Sequence, residues 1–513
     1  MMALLSNQRA AGLVGLTLFI FLLLGYTTYN SGSASTVPFN YQPGKQSTGS
    51  GAPTLSQPGP ADGWAFEAKR DAKNFGLSPE QCDAAFPKLW AEIDRAVAHR
   101  KKIGNITPDE VKIGWKIDGI VRAMIYDRQL FILNARGARR RDYRQRTLAV
   151  LQSIQRAITA YPGDIPNIEF SFVVDDGAYF AVYNNETSAT TWALTREPQD
   201  NNLWLMPDFG FYSWEGPAGE YSALLRSIAR DEMPFEQKDP RAIWRGAKAP
   251  AGHVQVRSDL LKVSKGKEWA DIEEIVWGGQ GEPKNLIPMS KHCKYMFPVH
   301  TEGHTYSGRL KYLLNCHSLT VIHKLHWAEN FHGALVPSGP DQNFIQVERD
   351  FSDMHWKMEY YLQHQDEAKR IADNNVKDFR DRYLTPAAQA CYWRKLFWAW
   401  REVSFEPDYY MSEEELKLQT EAEKKKQKEK EKVDVKIDED KSTKDKAKGK
   451  KPTKNPDDDK RSDDDKRSDD NKRSDDDKRS TSEKTEKKLV PRGMPYETYL
   501  LLESYEDSPW YNS

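Results

Sequence analysis

The chain has 513 residues, and its 75 lysines and arginines nearly balance its 76 aspartates and glutamates, leaving a formal net charge of -1. This balance provides no global electrostatic field that would favour nucleic acid or an acidic partner, so neither is expected. Between the two chain ends, roughly 350 residues have core-forming composition, enough for two domains of about 100–200 residues each.

The N-terminal end carries an apolar segment. Residues 10–26 contain no charged side chain, and the uncharged run continues for three further residues. A helix of about 17 residues covers about 25 Å, slightly less than the ~30 Å hydrocarbon core of a bilayer. We therefore expect residues 1–29 to form a cytoplasmic tip and a signal anchor that contacts the membrane through residues 10–29. The alternative is a cleaved signal peptide, because residues 13–24 have the length of its apolar region.

Either form of this segment directs the downstream chain into the secretory lumen. With an anchor, we expect a single-pass type II membrane protein of the Golgi or endoplasmic reticulum. With a cleaved signal peptide, we expect a secreted protein.

The next segments predict a stem followed by an α/β protein. Residues 30–64 are rich in Ser, Gly, Pro and Thr, and predict a flexible stem. Apolar residues at helical spacing predict amphipathic helices in 86–102 and 146–161. Runs of β-branched and aromatic residues predict strands in 114–133, 170–174, 241–250 and 317–323. Strands that alternate with helices predict a doubly wound α/β architecture.

The composition changes at residue 412. Residues 412–488 are almost entirely charged and polar, and they include four tandem hexads at 457–480. Without apolar periodicity, this tract predicts a disordered or frayed-helical insert that acts as a solvated spacer, with a docking tail as the alternative. Residues 489–513 regain aromatic and aliphatic side chains and have the composition to dock back onto the folded part.

The four cysteines, Cys82, Cys293, Cys316 and Cys391, are few for a disulfide scaffold. In an oxidising lumen they can form two bridges, for which three connectivities are open. Their spacing matches no metal-binding motif.

Three segments have the composition of a site in an open α/β sheet, where ligands bind beyond the carboxyl ends of the strands. The first is the end of the strand 170–174, where Asp175, Asp176 and Gly177 follow. A carboxylate there can remove a proton from an attacking hydroxyl. Side-chain alternation lets only one of the two acids point into a cleft. A capping role for both acids is the structural alternative.

The other two segments suit an anion. Arg245, Gly246, Lys248 and Arg257 place cations around a glycine-containing loop, which suits a phosphate or diphosphate. In the third, residues 300–319, small residues and glycines precede a predicted helix, so backbone amides are available to an anion at its start. Arg309 adds a permanently charged fork. Together, the acid and the anion-binding segments predict a cleft between two lobes.

These segments carry a resemblance to a known family. Residues 292–319, HCKYMFPVHTEGHTYSGRLKYLLNCHSL, closely resemble the nucleotide-diphosphate segment of the capsule-associated-protein and protein O-glucosyltransferase family, glycosyltransferase family 90. Further motifs follow the family's order and similar spacing, namely VVDD, LMPDFGFYSWEGP, IWRG and CYWRKLFWAW. The resemblance covers about residues 86–407. It implies two Rossmann-like lobes of the GT-B type, an acceptor-side lobe at 65–235 and a nucleotide-sugar lobe at 236–411.

The resemblance also implies roles for individual residues. The family's catalytic base falls on Asp176. The donor contacts fall on Arg245, Ala247, Arg257, His304, Thr305, Tyr306, Ser307, Gly308 and Arg309. Ala247 replaces a serine of the family, and extra residues separate Gly246 from Arg257. The sequence VHTE before Gly303 is more similar to the capsule branch, which bears on the sugar and the acceptor rather than on the reaction type.

The implied reaction is the inverting transfer of a sugar, glucose or xylose, from a UDP-sugar to a hydroxyl of a protein or polysaccharide. Asp176 would act as general base, and Arg309 with the backbone amides would stabilise the UDP leaving group. Cations can replace a metal in this role, so no metal and no obligatory cofactor are expected. The alternative is a catalytically inactive glycan-binding or cell-surface scaffold protein of the same fold.

Overall fold

The computed structural model describes residues 63–136, 141–180, 182, 189–215, 217–248, 255–276, 278, 283–418, 420–421, 424–425 and 489–503. All of them lie in one compact unit, Gln57–Ser513. Within these ranges, no helix combines the length and the apolar character needed to cross a membrane. The predicted anchor, nearly all of the predicted stem and most of the charged tract lie outside the described residues.

The α-helices of the described ranges are α1 (Ala68–Asp71), α2 (Pro79–Ala85), α3 (Ala91–Ile103), α4 (Arg141–Thr159), α5 (Tyr221–Asp231), α6 (Gln255–Ser264), α7 (Leu310–Leu313), α8 (Met354–Gln363), α9 (Gln365–Asn375), α10 (Pro386–Glu402) and α11 (Tyr496–Glu503). Short 3-10 helices occupy Pro87–Leu89, Phe209–Phe211, Phe235–Gln237, Met289–Lys294 and His332–Ala334, and a π-helix occupies Val376–Tyr383.

The strands are β1 (Ile120–Tyr126), β2 (Gln129–Arg136), β3 (Ile168–Val173), β4 (Thr191–Ala193), β5 (Leu203–Leu205), β6 (Ser213–Trp214), β7 (Gly219–Glu220), β8 (Asp239–Gly246), β9 (Ala270–Glu274), β10 (Tyr295–His300), β11 (Val321–His323), β12 (Ile345–Val347) and β13 (Met494–Pro495). Within the described residues they form a six-stranded sheet of order β13-β2-β1-β3-β4-β5, a five-stranded sheet of order β12-β11-β10-β8-β9, and the pair β6-β7.

The first sheet is mixed, whereas the strands of a Rossmann-like lobe are mostly parallel. The predicted strand 114–133 is in fact a hairpin, because β1 and β2 pair antiparallel with Tyr126 opposite Gln129. The two turn residues, Asp127 and Arg128, have φ values of 46° and 60°, as a two-residue hairpin turn requires. β3 also runs antiparallel to β1, and only β3, β4 and β5 are parallel to one another.

The second sheet is parallel throughout its described pairings. The carboxyl ends of β8 and β10 therefore open at the same edge, where ligands bind in open α/β sheets. The loop after β8 contains Ala247, and the loop after β10 contains Gly303. The parallel geometry thus brings together two of the three segments that the sequence singled out.

Much of the aromatic content of the chain is in the core beside the first sheet. Trp192 of β4 is fully buried and stacks on Phe170 of β3, with ring centroids 3.9 Å apart. Trp400 of α10 packs edge-on against Trp192 and Trp204. The indole N–H of Trp400 donates to the backbone carbonyl of Glu169 at 2.9 Å. α10 is thereby fixed across β3, the strand that ends at the acidic pair.

The four cysteines form two disulfides, Cys82–Cys391 and Cys293–Cys316. The first links α2 to α10 across 309 residues of sequence. The second joins the residues just before β10 to the segment after α7, and so closes the stretch that contains the predicted donor site.

The C-terminal segment 489–503 returns to the first sheet, where β13 pairs antiparallel with β2. Beside it, the amide of Met411 donates to the carbonyl of Val490 at 2.9 Å, and the amide of Arg492 donates to that of Tyr409 at 2.8 Å. The residues that flank the charged tract 412–488 on its two sides are therefore joined by adjacent backbone hydrogen bonds.

We expect Arg492→Ala to lower the free energy of unfolding by about 1–3 kcal/mol, because it removes a partner of a buried carboxylate. Glu169 is 1% exposed and accepts from Arg492 at 2.7 Å and from Arg122. The matched control is Arg226→Ala, since the Arg226 side chain is 71% exposed and its ion pair should contribute at most about 1 kcal/mol. Urea unfolding measures the free energy of both variants. Equal losses would contradict a stabilising role for the buried pair of Arg492 and Glu169.

Candidate functional site

The loop after β3 separates the two adjacent acids into different environments. The Asp175 carboxylate is 8% exposed and accepts from the Lys116 ammonium at 3.0 Å. Lys116 is fully buried and also donates to the carbonyl of Phe180. Asp175 therefore has a structural role: its carboxylate neutralises the buried ammonium of Lys116 and attaches the loop to it.

Asp176 points the other way, and its side chain remains 47% exposed. Its Oδ1 accepts from Nη1 of Arg146 at 2.7 Å, and Arg146 also donates to the carbonyl of Val174 at 3.1 Å. Burial alone would lower the pKa of Arg146, but the charge of Asp176 raises that pKa above its ordinary value. No described donor contacts Oδ2 of Asp176. This carboxylate thus has one oxygen held in place and one available to a hydroxyl.

The predicted donor segment follows β10 and begins with a tight turn. The amide of Gly303 donates to the carbonyls of Thr305 at 2.9 Å and Tyr306 at 3.2 Å, so it is committed within the segment. The next six amides, those of residues 304–309, donate to no acceptor in the described part of the chain. The helix that follows, α7, is only four residues long, so the expected helix dipole is weak. The six amides, rather than the helix, are therefore the groups of this segment that are free to donate to an anion.

The acidic loop and the donor segment are in direct contact. The Thr305 hydroxyl donates to the backbone carbonyl of Asp176 at 2.8 Å. The ring of His304 stacks on Phe180 with centroids 4.6 Å apart. These contacts place the carboxylate and the unpaired amides in one site, although they lie about 130 residues apart in sequence.

Arg257, beside the donor segment, and Arg309, within it, have no acidic partner among the described residues. Arg257 is 8% exposed, and its guanidinium donates only to backbone carbonyls, those of Glu302 at 3.0 Å and Ala247 at 2.9 Å. No described side chain or carbonyl accepts a hydrogen bond from the guanidinium of Arg309. Both guanidiniums lie near the ring of Trp244, with their central carbons 6.0 and 5.9 Å from its centroid.

The surroundings disfavour both positive charges. Burial lowers the pKa of Arg257 to about 10. Burial, together with the nearby charge of Arg257, also lowers the pKa of Arg309 to about 10. A side chain at position 303 would oppose this arrangement, because a Cβ there would lie 3.1 Å from Nη2 of Arg257. The glycine therefore lets the Arg257 guanidinium and the backbone carbonyl of Tyr306 approach the same space.

Other predicted donor contacts lie elsewhere or contribute differently. Arg245 is committed to Asp271, with Nη2 2.5 Å from Oδ1, so its position does not support the predicted donor contact. Ala247 contributes its carbonyl to Arg257, and Lys248 is exposed. The Tyr306 hydroxyl donates to Asp208 and is therefore committed to a partner within the chain.

Asp208 and Lys311 are residues for which the sequence indicated no role. Asp208 is 3% exposed and lies 2.8 Å from the ammonium of Lys311, which is fully buried. Both residues belong to motifs that carried the family resemblance. Their pairing connects segments about 100 residues apart, which no local pattern could indicate.

Comparison with known proteins identifies the family. The profile of glycosyl transferase family 90 matches residues 80–477, more than half of the chain. The chain therefore belongs to glycosyl transferase family 90, which confirms the resemblance of its motifs.

Two curated relatives are similar over part of their length. The chain is 24% identical over 200 residues to an O-glucosyltransferase rumi homolog of Anopheles gambiae, covering 36% of this chain and 49% of the relative. It is 30% identical over 203 residues to Protein O-glucosyltransferase 2 of Danio rerio, covering 36% of this chain and 37% of the relative. The chain thus matches less than half the length of each.

The two acids should differ in their contribution to stability. We expect Asp175→Ala to cost about 3–5 kcal/mol of unfolding free energy, because it leaves the Lys116 ammonium buried without its carboxylate. Asp176→Ala is the matched control and should cost at most about 1 kcal/mol, since its side chain is half exposed. Urea unfolding of both variants provides the measurement. A larger loss for Asp176→Ala would reverse the two assignments.

Proposed function

We propose that this protein is an inverting glycosyltransferase that transfers a sugar from a UDP-sugar to a hydroxyl acceptor, with Asp176 as the general base. The observation that carries the proposal is the pair of guanidiniums of Arg257 and Arg309, which pair with no described carboxylate, beside six backbone amides that donate to no described acceptor. The membership of glycosyl transferase family 90 supports the same reaction class.

The arrangement suits a diphosphate in particular. Two neighbouring guanidiniums repel each other, and burial removes the water that would screen them. A ligand with at least two negative charges would relieve both effects, and phosphate oxygens accept readily from guanidinium and amide N–H groups. The diphosphate of a nucleotide-sugar satisfies this requirement.

The proposed reaction uses the acidic loop after β3 and the donor segment after β10. Oδ2 of Asp176 takes the proton of the acceptor hydroxyl while that oxygen attacks the anomeric carbon of the donor. The bond between this carbon and the β-phosphate oxygen breaks, and UDP leaves with the electron pair. Arg257, Arg309 and the amides of 304–309 stabilise the charge that grows on the diphosphate. Attack from the face opposite the leaving group inverts the anomeric configuration.

Glucose is the donor sugar that the names of the two relatives favour, with xylose as the second candidate. The acceptor is a hydroxyl of a protein or polysaccharide. We place the reaction in the lumen of the Golgi or endoplasmic reticulum, on a chain anchored through residues 10–29. The transfer needs no divalent ion in this proposal, because the two guanidiniums provide the positive charge.

Asp176→Asn should reduce transfer at least ~100-fold, because the amide cannot accept the proton, while UDP affinity stays within about twofold. Transfer is measured with a radiolabelled UDP-sugar, or as slow donor hydrolysis if no acceptor is found. Asp109→Asn is the control, since the Asp109 side chain is 83% exposed, and it should behave as wild type. Full turnover by Asp176→Asn would rule out the base assignment.

Arg309→Ala should weaken UDP binding about 10–100-fold in calorimetry, the loss expected for charge-assisted hydrogen bonds. Arg226→Ala, at an exposed position, should leave the affinity unchanged. UDP should also raise the melting temperature of the wild-type protein, since it binds only the folded state. If every UDP-sugar is inert and glycans still bind, the inactive glycan-binding alternative is correct.

A further inference from the structure

A buried carboxylate beneath the donor segment has no place in the chemistry described so far. Asp208 lies between β5 and the 3-10 helix Phe209–Phe211 and is 3% exposed. Its Oδ1 accepts from the amide of Gly210 at 2.6 Å and from the Lys311 ammonium at 2.8 Å. Its Oδ2 accepts from the hydroxyl of Tyr306. One carboxylate therefore binds two side chains of the donor segment and its flanking helix.

Lys311 extends these contacts to the backbone of the same segment. Its ammonium, fully buried, donates to the carbonyl of Gly308 at 2.7 Å as well as contacting Asp208. Asp208 is thus connected to the donor segment at Tyr306 directly and at Gly308 through Lys311. These two points bracket Ser307 and immediately precede Arg309.

The glycine at position 210 leaves room for the cluster of Asp208, Lys311 and Tyr312. A Cβ at position 210 would lie 2.5 Å from the hydroxyl oxygen of Tyr312, 2.7 Å from Oδ1 of Asp208 and 2.9 Å from Cε of Lys311. Any side chain at position 210 would therefore force Tyr312, Asp208 and Lys311 to shift from this arrangement. A buried ion pair is weak evidence for stability alone, because its desolvation offsets most of its attraction.

Asp208 also acts on the acidic loop. Burial alone would lower the pKa of Arg146, but the charge of Asp176, with a contribution from that of Asp208, raises it above its ordinary value. Arg146 holds Oδ1 of Asp176 at 2.7 Å, and its guanidinium lies over the ring of Phe209, 4.8 Å from the centroid. Asp208 is therefore close to the partner of the base as well as to the donor segment.

We propose that Asp208 is a positioning residue whose carboxylate, through Tyr306 and Lys311, holds the amides of residues 304–309 and the Arg309 guanidinium toward the diphosphate. This inference rests on the proposed function. Asp208 does not touch the reacting atoms. Loss of its contacts should therefore loosen the donor segment and weaken donor binding, while the chemistry of a fully bound donor changes much less.

Tyr306→Phe is the decisive variant, because it removes one hydroxyl and keeps the ring. We expect the UDP dissociation constant and the donor KM to rise about tenfold, with kcat at saturating donor within about twofold. The control is Tyr496→Phe, which also removes a hydroxyl from a buried tyrosine, one that donates to Gln152 near the C-terminal helix. Its UDP affinity should equal that of the wild type.

Asp208→Asn tests the carboxylate itself and should weaken UDP binding more than Tyr306→Phe does. The double variant should be little weaker than Asp208→Asn alone, since both changes break the same contact. Unchanged UDP affinity in Tyr306→Phe, or a loss of kcat with unchanged KM, would overturn the proposal. This decision stands even if Asp208→Asn fails to fold.

Hydrogen exchange of the ligand-free protein separates this inference from the proposed function. Tyr306→Phe should speed exchange of the hydrogen-bonded amides at the two ends of the donor segment, those of Gly303 and Leu310, which donate to carbonyls within it, and Tyr496→Phe should not. Unchanged exchange in that segment would overturn the positioning role whatever the protein binds. Faster exchange, in a protein whose wild type shows no UDP affinity, would support the positioning role and reject the UDP-sugar function.

Discussion

The guanidiniums of Arg257 and Arg309 both lie near the ring of Trp244, and no carboxylate in the described part of the chain pairs with either of them. The electrostatic cost appears in their lowered pKa values, for which burial is the main cause. Elsewhere in the same sheet, Arg245 has Asp271 within 2.5 Å. Arg245 thus has an acidic partner, whereas Arg257 and Arg309 have none among the described residues. Buried charges are usually paired, so this difference favours a bound anion beside Arg257 and Arg309.

The other residues of the site are positioned next to Arg257 and Arg309 by loops from the two sheets. The parallel second sheet opens the loops after β8 and β10 at one edge, and glycine at position 303 lets Arg257 approach the donor segment. The first sheet brings in β3, whose terminal acids are divided between a structural partner, Lys116, and an exposed position next to Arg146. The hydroxyl of Thr305 connects the donor segment to the acidic loop by donating to the backbone carbonyl of Asp176.

The sequence indicated much of this arrangement, because its signals were local. A buried apolar strand followed by two acids located Asp175 and Asp176, and glycines among small polar residues located the segment 303–309. Side-chain alternation predicted that the two acids would face different surroundings, and their partners differ as expected. The motifs also indicated the family, which the profile match confirms.

The remaining features depend on contacts between distant residues, which no local pattern encodes. The turn at Asp127 and Arg128 lacks the glycine that usually marks a two-residue hairpin, so the local sequence does not distinguish this hairpin from one long strand. The pairing of Arg245 with Asp271 and the cluster around Asp208 join separate segments of the chain. The composition of residues 489–513 indicated that this segment could dock, but not where. The structure shows that β13 pairs with β2 and that residues 490 and 492 bond to the backbone of residues 409–411.

A crystal structure of the protein with UDP tests the central claim most directly. The account predicts that the diphosphate lies against the guanidiniums of Arg257 and Arg309, within hydrogen-bonding distance of amides in residues 304–309, with Oδ2 of Asp176 facing the space beyond the β-phosphate. UDP bound elsewhere, with these two arginines turned onto acids of the chain itself, would contradict it.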